Sequence, residues 1–190
     1  MERVRIVFSG SGGQGVITAA ILLAEAAVLE EGLNAVQTQV YGAAARGGAT
    51  RSDVVVSDEP INFPKVIQPN VLVCLTQEAY NKFIPILRPG GLLLTDPRYV
   101  KPERKVDARQ RELDMYRTVM ERIGKPIVFN ICMLGAVIQL TGLLRPESVL
   151  KRLEQRLPAA FLDMNRQAME IGTELAAACG HPSVDICRTE

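Results

Sequence analysis

The sequence predicts an α/β protein with a three-layer α/β/α arrangement: a Rossmann-like, mostly parallel sheet followed by C-terminal helices. Three observations carry this. A short apolar run at residues 4–9 leads into Gly10-Ser-Gly-Gly-Gln-Gly15 and then into an alanine-rich amphipathic segment, which is the pattern of a strand-to-helix turn. Apolar runs of strand length then alternate with segments of helical period. Residues 131–179 read as helix almost throughout.

Taken in order, residues 4–9 form the first predicted strand, whose near-continuous apolar character suits a sheet covered on both faces. Helix one spans about residues 16–31. In it Ile17, Ala20, Ile21, Ala24 and Val28 repeat at three and four, and Gly32 supplies the stop. Residues 34–40 make a second strand, with Gln37 and Gln39 on one face and Val36, Thr38 and Val40 on the other. A face only partly apolar fits an edge or an interface. Residues 50–57 alternate as a third strand before the Asp58-Glu-Pro60 turn. The most strand-like run, residues 71–76, is apolar on both faces and should be central. Thr76 can cap a helix reaching about residue 87, and Pro89-Gly-Gly91 turns the chain into a strand at 92–95 that Asp96-Pro97 closes.

Residues 98–117 change composition, with Lys101, Arg104, Lys105, Arg109, Arg111 and Arg117 set among acids. The expectation is an exposed connection running into a solvated helix face. A helix with Leu113, Tyr116, Met120 and Ile123 inward then ends at Gly124, and a short strand is expected at 127–130. Residues 131–144 are apolar nearly all round. They predict a buried helix in which Gly135 and Gly142 imply close approach by another element. Amphipathic helices at 147–157 and about 159–179 complete the chain.

Gly10, Gly12 and Gly15 satisfy the G-x-G-x-x-G spacing, in which the first glycine permits a tight turn, the second lets backbone approach a ligand and the third lets helix pack on sheet. With Gly13 and Gln14 they form the candidate cofactor-binding loop, because free N–H groups at a helix start attract a phosphate or a carbonyl oxygen. The dinucleotide fingerprint is incomplete. The second strand, Asn34-Ala-Val-Gln-Thr-Gln-Val40, offers no carboxylate for ribose hydroxyls. A second candidate is Tyr41-Gly-Ala-Ala-Ala-Arg-Gly-Gly48, a small-residue loop with one aromatic and one cation. Tyr41, Arg46, Gly47 and Gly48 are therefore assigned to an interface or to an anion.

Composition narrows the rest. The 190 residues, 47% hydrophobic, suffice for one core, so residues 1–190 are read as a single domain. A net charge of +1 and 5% aromatic residues without Trp predict no nucleic-acid surface. Cys74, Cys132, Cys179 and Cys187 contain no C-x-x-C pair, so their spacing encodes neither zinc nor an iron–sulfur cluster, and no metal site is assigned. No nucleophile–base pairing is evident, and the one histidine, His181, sits just past the last helix, so no catalytic residue is assigned. The apolar runs are too short to span a bilayer and no signal-peptide core precedes the glycines, which predicts a cytoplasmic protein without membrane contact.

Several blocks now align with a known family. Gly10-Ser-Gly-Gly-Gln-Gly-Val16, Tyr41-Gly with Ala45-Arg-Gly-Gly48, Ser57-Asp-Glu-Pro-Ile61 with Phe63-Pro-Lys65, Gln77-Glu-Ala-Tyr80 and Arg88-Pro-Gly-Gly91 stand in order, and the chain resembles the gamma subunit of 2-oxoacid:ferredoxin oxidoreductases. It is most similar to the gamma chain of the 2-oxoglutarate enzymes. It departs from them at Ala43-Ala44, where Pro-Glu is usual, and at Pro69-Asn70, where Ala-Asp is common. The resemblance implies a non-catalytic subunit, inactive alone, of a complex that decarboxylates a 2-oxoacid oxidatively to an acyl-CoA. That complex uses thiamine diphosphate, Mg2+, iron–sulfur clusters and coenzyme A, and passes electrons to ferredoxin. The implied partners are alpha and beta subunits, with delta as an optional fourth. The residues implied at the coenzyme A side are those of the glycine loop together with Arg46. Alternatives are an aryl or branched-chain 2-oxoacid enzyme, or a free-standing nucleotide-binding Rossmann-like protein.

Overall fold

The computed structural model describes residues 3–40, 48–103 and 105–179. Its centre is a six-stranded sheet formed by β1 (Val4–Gly10), β2 (Asn34–Val40), β3 (Thr50–Ser57), β4 (Val71–Cys74), β5 (Gly91–Thr95) and β6 (Ala108–Glu112), in the order β2-β3-β1-β4-β5-β6. β1, β4, β5 and β6 run parallel, while β3 is inserted antiparallel between β1 and β2. The sheet is mostly parallel, with a hairpin built into one side.

Strand alternation divides the core into two unequal halves. Val4, Ile6, Phe8, Val54, Val56, Val73 and Leu94 face a thick helical layer, whereas Val7, Val55, Leu72, Cys74 and Leu93 face a thin one. The thick layer contains α1 (Val16–Leu29), α3 (Met115–Arg122), α4 (Phe129–Thr141), α5 (Pro146–Arg156) and α6 (Leu162–Ala178). The thin layer holds α2 (Gln77–Phe83), the 3-10 turn Ile84–Ile86 that follows it, and the coil around Val66 and Val100. Thr76 caps α2 as expected, its Oγ1 accepting from Ala79 N–H at 3.1 Å.

α4 is buried on nearly every side, and α6 lies directly against it. Glycine makes that approach possible. A Cβ at Gly135 would stand 2.5 Å from the Met169 carbonyl oxygen, and one at Gly172 would overlap the Cys132 carbonyl. Gly142, expected to mark a close contact, instead ends α4 in the left-handed conformation at φ +60° with open space around it. α5 is held on α1 by charge: Glu30 pairs with Lys151 at 2.6 Å and with Arg152 at 3.0 Å, and Glu25 pairs with Arg156.

Two segments differ from the sequence expectation. Residues 108–112, expected as a solvated connection, form β6, because Arg109, Gln110 and Arg111 can serve an edge strand whose charges discourage pairing with another chain. Residues 127–130, expected as a strand, form a 3-10 turn (Pro126–Val128) that leads straight into α4. Pro126 at the start of the turn has the backbone angle helices use, and four residues were too few for period to decide. The inward face of α3 is also carried by Met115 and Val119, while Tyr116 and Met120 are half-buried.

Candidate functional site

The topology fixes where a ligand crevice can lie. From β1 the chain crosses through α1 on the thick side toward β2, and from β4 it crosses through α2 on the thin side toward β5. β1 and β4 are neighbours whose connections leave in opposite directions, so their carboxyl ends form a topological switch point. The glycine loop sits there.

Within the loop each residue has a distinct task. Gly12 and Gly13 are exposed, and a Cβ on either would meet nothing within 4 Å, so their backbone is open to approach. Gly15 is the N-cap of α1, at φ +69°, with no side-chain cap and no acid in the first turn. The first N–H groups of α1 therefore keep their positive dipole end toward the loop. Gln14 points inward. Its Oε1 accepts from Ser11 N–H at 2.7 Å and its Nε2 donates to the Leu75 carbonyl at 3.0 Å, bridging the ends of β1 and β4.

The roles of the outer glycines are exchanged relative to expectation. Gly10 is the one pressed against the sheet, since a Cβ there would meet Gln14 Oε1 at 2.5 Å and Leu75 Cβ at 3.2 Å. Gly15 packs on another helix. Its Cβ would stand 2.5 Å from Asn130 Nδ2, and Asn130 is the second residue of α4. Asn130, which sequence reasoning left without a role, thus keys α4 to the glycine loop, and its Nδ2 donates to the Gly15 carbonyl at 3.4 Å. A cavity of about 510 Å³ opens beside this contact, lined by Gly13, Thr18, Asn130, Leu157, Phe161 and Met164 among others. Ile127, 78% exposed, stands at its mouth with the exposed Phe161.

The two strands that flank the second predicted loop meet at the same end of the sheet. Thr50 pairs with Gly10 and Val40 with Arg51, so both strands flanking it finish beside the glycine loop. Tyr41, Arg46 and Gly47 lie outside the described residues, as do His181 and Cys187. Gly48 is described and half-buried, and the next residue is fixed by Ala49 N–H donating to Glu78 Oε1 at 3.2 Å. Arg51 is held by a two-pronged pair with Asp53, at 2.6 and 2.8 Å, and by the Val66 carbonyl at 2.9 Å.

The titratable groups near this edge are structural. Burial pushes the Asp96 carboxyl up, against hydrogen bonds from Tyr116 N–H at 2.8 Å and Arg98 N–H at 2.9 Å that anchor α3 to the end of β5. Burial also pushes the thiols of Cys74 and Cys132 up to about 12, so both stay protonated at neutral pH. Among the described residues no group of three His, Cys, Asp or Glu side chains could hold a metal ion, and no helix is long and apolar enough to cross a membrane.

Comparison with known proteins places this architecture. The family model for pyruvate ferredoxin/flavodoxin oxidoreductase matches residues 5–175. The chain belongs to that family. It is 44% identical over 176 residues to the 2-oxoglutarate synthase subunit KorC of Methanocaldococcus jannaschii, covering 92% of this chain and 94% of that one. The pyruvate synthase subunit PorC of Methanothermobacter marburgensis is 31% identical over 175 residues, 90% of this chain and 96% of that one. Among solved structures, the gamma subunit of a keto/oxoacid ferredoxin oxidoreductase from Geobacter sulfurreducens superimposes with a TM-score of 0.86 at 40% identity, covering 94% of this chain and 98% of that one. The resemblance read from the glycine loop and the later blocks is thereby borne out: this is a gamma-type chain of the 2-oxoacid:ferredoxin oxidoreductase family, with the α/β fold of its relatives.

Proposed function

We propose that this chain is the gamma subunit of a coenzyme A-dependent 2-oxoglutarate:ferredoxin oxidoreductase and is inactive alone. The observation that carries the substrate is the gradient of identity, 44% to a 2-oxoglutarate synthase subunit against 31% to a pyruvate synthase subunit, over nearly the same span. The chain's own chemistry agrees with a supporting role. Its described thiols include two buried, protonated ones, and its buried carboxylate at the sheet edge is tied to backbone N–H groups. These suit neither cluster ligation nor general base catalysis. Thiamine diphosphate with Mg2+ and the iron–sulfur clusters belong, in this reading, to alpha and beta subunits. Where a delta subunit is present it joins the same assembly.

Coenzyme A accepts the acyl group in such an enzyme, and the glycine loop fits a part in holding it. Gly12 and Gly13 present open backbone, and the uncapped start of α1 favours an oxyanion. Gln14 closes the deeper crevice, so contact is made along the outer rim of the loop. Arg46, in the segment that joins β2 to β3, is the residue we assign to a phosphate or to a partner's acidic group, since β3 begins beside Gly10. The cavity beside Asn130, with Ile127 and Phe161 at its mouth, is a surface that a neighbouring subunit would cover.

The test is purification of the tagged full chain from cells in which its partners are present. Larger chains carrying thiamine diphosphate and iron should co-purify. The assembly should reduce ferredoxin only with both 2-oxoglutarate and coenzyme A, and the chain alone should not. A faster rate with pyruvate or a branched-chain 2-oxoacid would overturn the substrate. A solitary chain that retains nucleotide would overturn the subunit role.

A further inference from the structure

The opposite end of the sheet carries a second opening that the glycine loop does not reach. At the amino ends of β1 and β4 lies a cavity of about 390 Å³, and three of the side chains lining it are the cations Arg5, Lys65 and Arg88, with no acid among the described lining residues. Among the described residues the charged ends of these three make no ion pair or hydrogen bond. Other cations of the fold are matched, as Arg51 is on Asp53, Arg122 on Glu174 and Arg145 on Glu31. Gathering three unmatched positive charges around one concavity raises the local potential and attracts a counter-ion.

A neutral donor is built into the same wall. Asn70 is only 4% exposed, and its Oδ1 accepts Arg5 N–H at 2.9 Å, which fixes the amide and leaves Nδ2 to the cavity without an acceptor. Its position is rigid, since Asn70 N–H donates to the Arg5 carbonyl at 2.8 Å and the Asn70 carbonyl accepts from Leu92 N–H at 2.9 Å. The cavity therefore presents donors in two guanidinium groups, one ammonium and one amide, with no acid among the described residues that line it. Phe63 and Ile67, 53% and 60% exposed, form an apolar side to it.

We propose that this cavity is a binding site for a phosphate-type oxyanion. Arg5 and Arg88 supply fork-shaped donor pairs, Lys65 a mobile point charge and Asn70 Nδ2 the fixed neutral donor. The site is separate from the rim assigned to coenzyme A, because β1 runs between them and spans about 20 Å at roughly 3.3 Å per residue. It stands independently of the function proposed above.

The experiment titrates pyrophosphate into the full chain at constant ionic strength, by calorimetry and by thermal melts. Saturable binding at one site, with a melting temperature that climbs with the logarithm of pyrophosphate concentration, is expected. Lys65→Gln combined with Arg88→Gln should weaken that binding at least tenfold, while Lys101→Gln, outside the cavity, should leave it unchanged. Lys65→Gln alone changes an exposed side chain with no partner, so it should fold as wild type and still weaken binding. Orthophosphate and ADP, titrated alongside, separate two sources of the group. Tighter binding of ADP assigns the site to a phosphate carried on a ring that Phe63 can face, and tighter binding of orthophosphate assigns it to the free ion. No saturable binding by wild type, or equal affinity in the wild-type and Lys65/Arg88 proteins, overturns the proposal.

Discussion

Replacing Gly15 by alanine tests the most specific contact in the glycine loop. Gly15 sits at φ +69°, where a side chain costs about 1–2 kcal/mol from backbone strain alone. The added Cβ would stand 2.5, 2.7 and 2.9 Å from Nδ2, Cγ and Cβ of Asn130, so the start of α4 must move. Overpacking of this kind costs about 1–3 kcal/mol. Gly15→Ala should therefore destabilise the chain by about 2–5 kcal/mol. Two neighbours serve as references. Gly13→Ala, at φ +87° in open space, carries only the backbone cost of about 1–2 kcal/mol, and Gly12→Ala should stay within about 0.5 kcal/mol of wild type. Asn130→Ala in the Gly15→Ala background removes Nδ2 and Cγ but keeps Cβ. The pair should then be less destabilised than the sum of the single variants by at least about 1 kcal/mol. Urea unfolding of wild type and the five variants reads all of this. Equal losses for Gly15→Ala and Gly13→Ala, or strict additivity with Asn130→Ala, would refute the keyed contact.

Two further outcomes follow from single side chains. Gln14→Ala removes both ties across the switch point, so it should cost about 1–3 kcal/mol and speed hydrogen exchange at the Ser11 amide, and an unchanged exchange rate there would refute the bridging role. For Glu31, burial raises the carboxyl pKa, but hydrogen bonds from Ser148 Oγ at 2.5 Å and from Arg145 N–H and Nε at 3.1 Å together hold it below the ordinary value of 4.5. Its contribution is thus fully present above pH 4.5 and is lost as pH falls through the lower folded-state pKa. Melting temperatures from pH 6 to pH 3 should fall less steeply for Glu31→Gln than for wild type, and parallel curves would refute the assignment.

The order of strands and helices was legible because it rests on burial, which leaves a period in the sequence. β4 is uniformly apolar and proved central, and α4 is apolar all round and proved buried on nearly every side. β6 was not legible, since an edge strand carries charges that discourage further pairing, and those same charges read as a solvated connection. The start of α4 was missed for a different reason. Ile127 and Val128 look like strand residues locally, but Pro126 starts them in a turn, and Asn130, just beyond, packs on Gly15 more than a hundred positions earlier as the turn enters a helix.

The glycine loop shows where spacing stops being informative. Its three signature glycines were placed correctly at a strand-to-helix turn, but spacing does not say which neighbour each must avoid. Gly10 yields to Leu75 and Gln14, and Gly15 yields to a helix that lies far away in sequence. Gln14 looks like a polar residue offered to a ligand, yet both ends of its amide are engaged, one with Ser11 and one with Leu75. A ligand that entered between β1 and β4 would have to break those two bonds and leave the Leu75 carbonyl without its partner. One that lay across Gly12 and Gly13 would break nothing and would meet the first amides of α1. The geometry therefore leaves the outside of the loop, across Gly12 and Gly13 and the uncapped start of α1, as the open approach for the oxyanion contact proposed above.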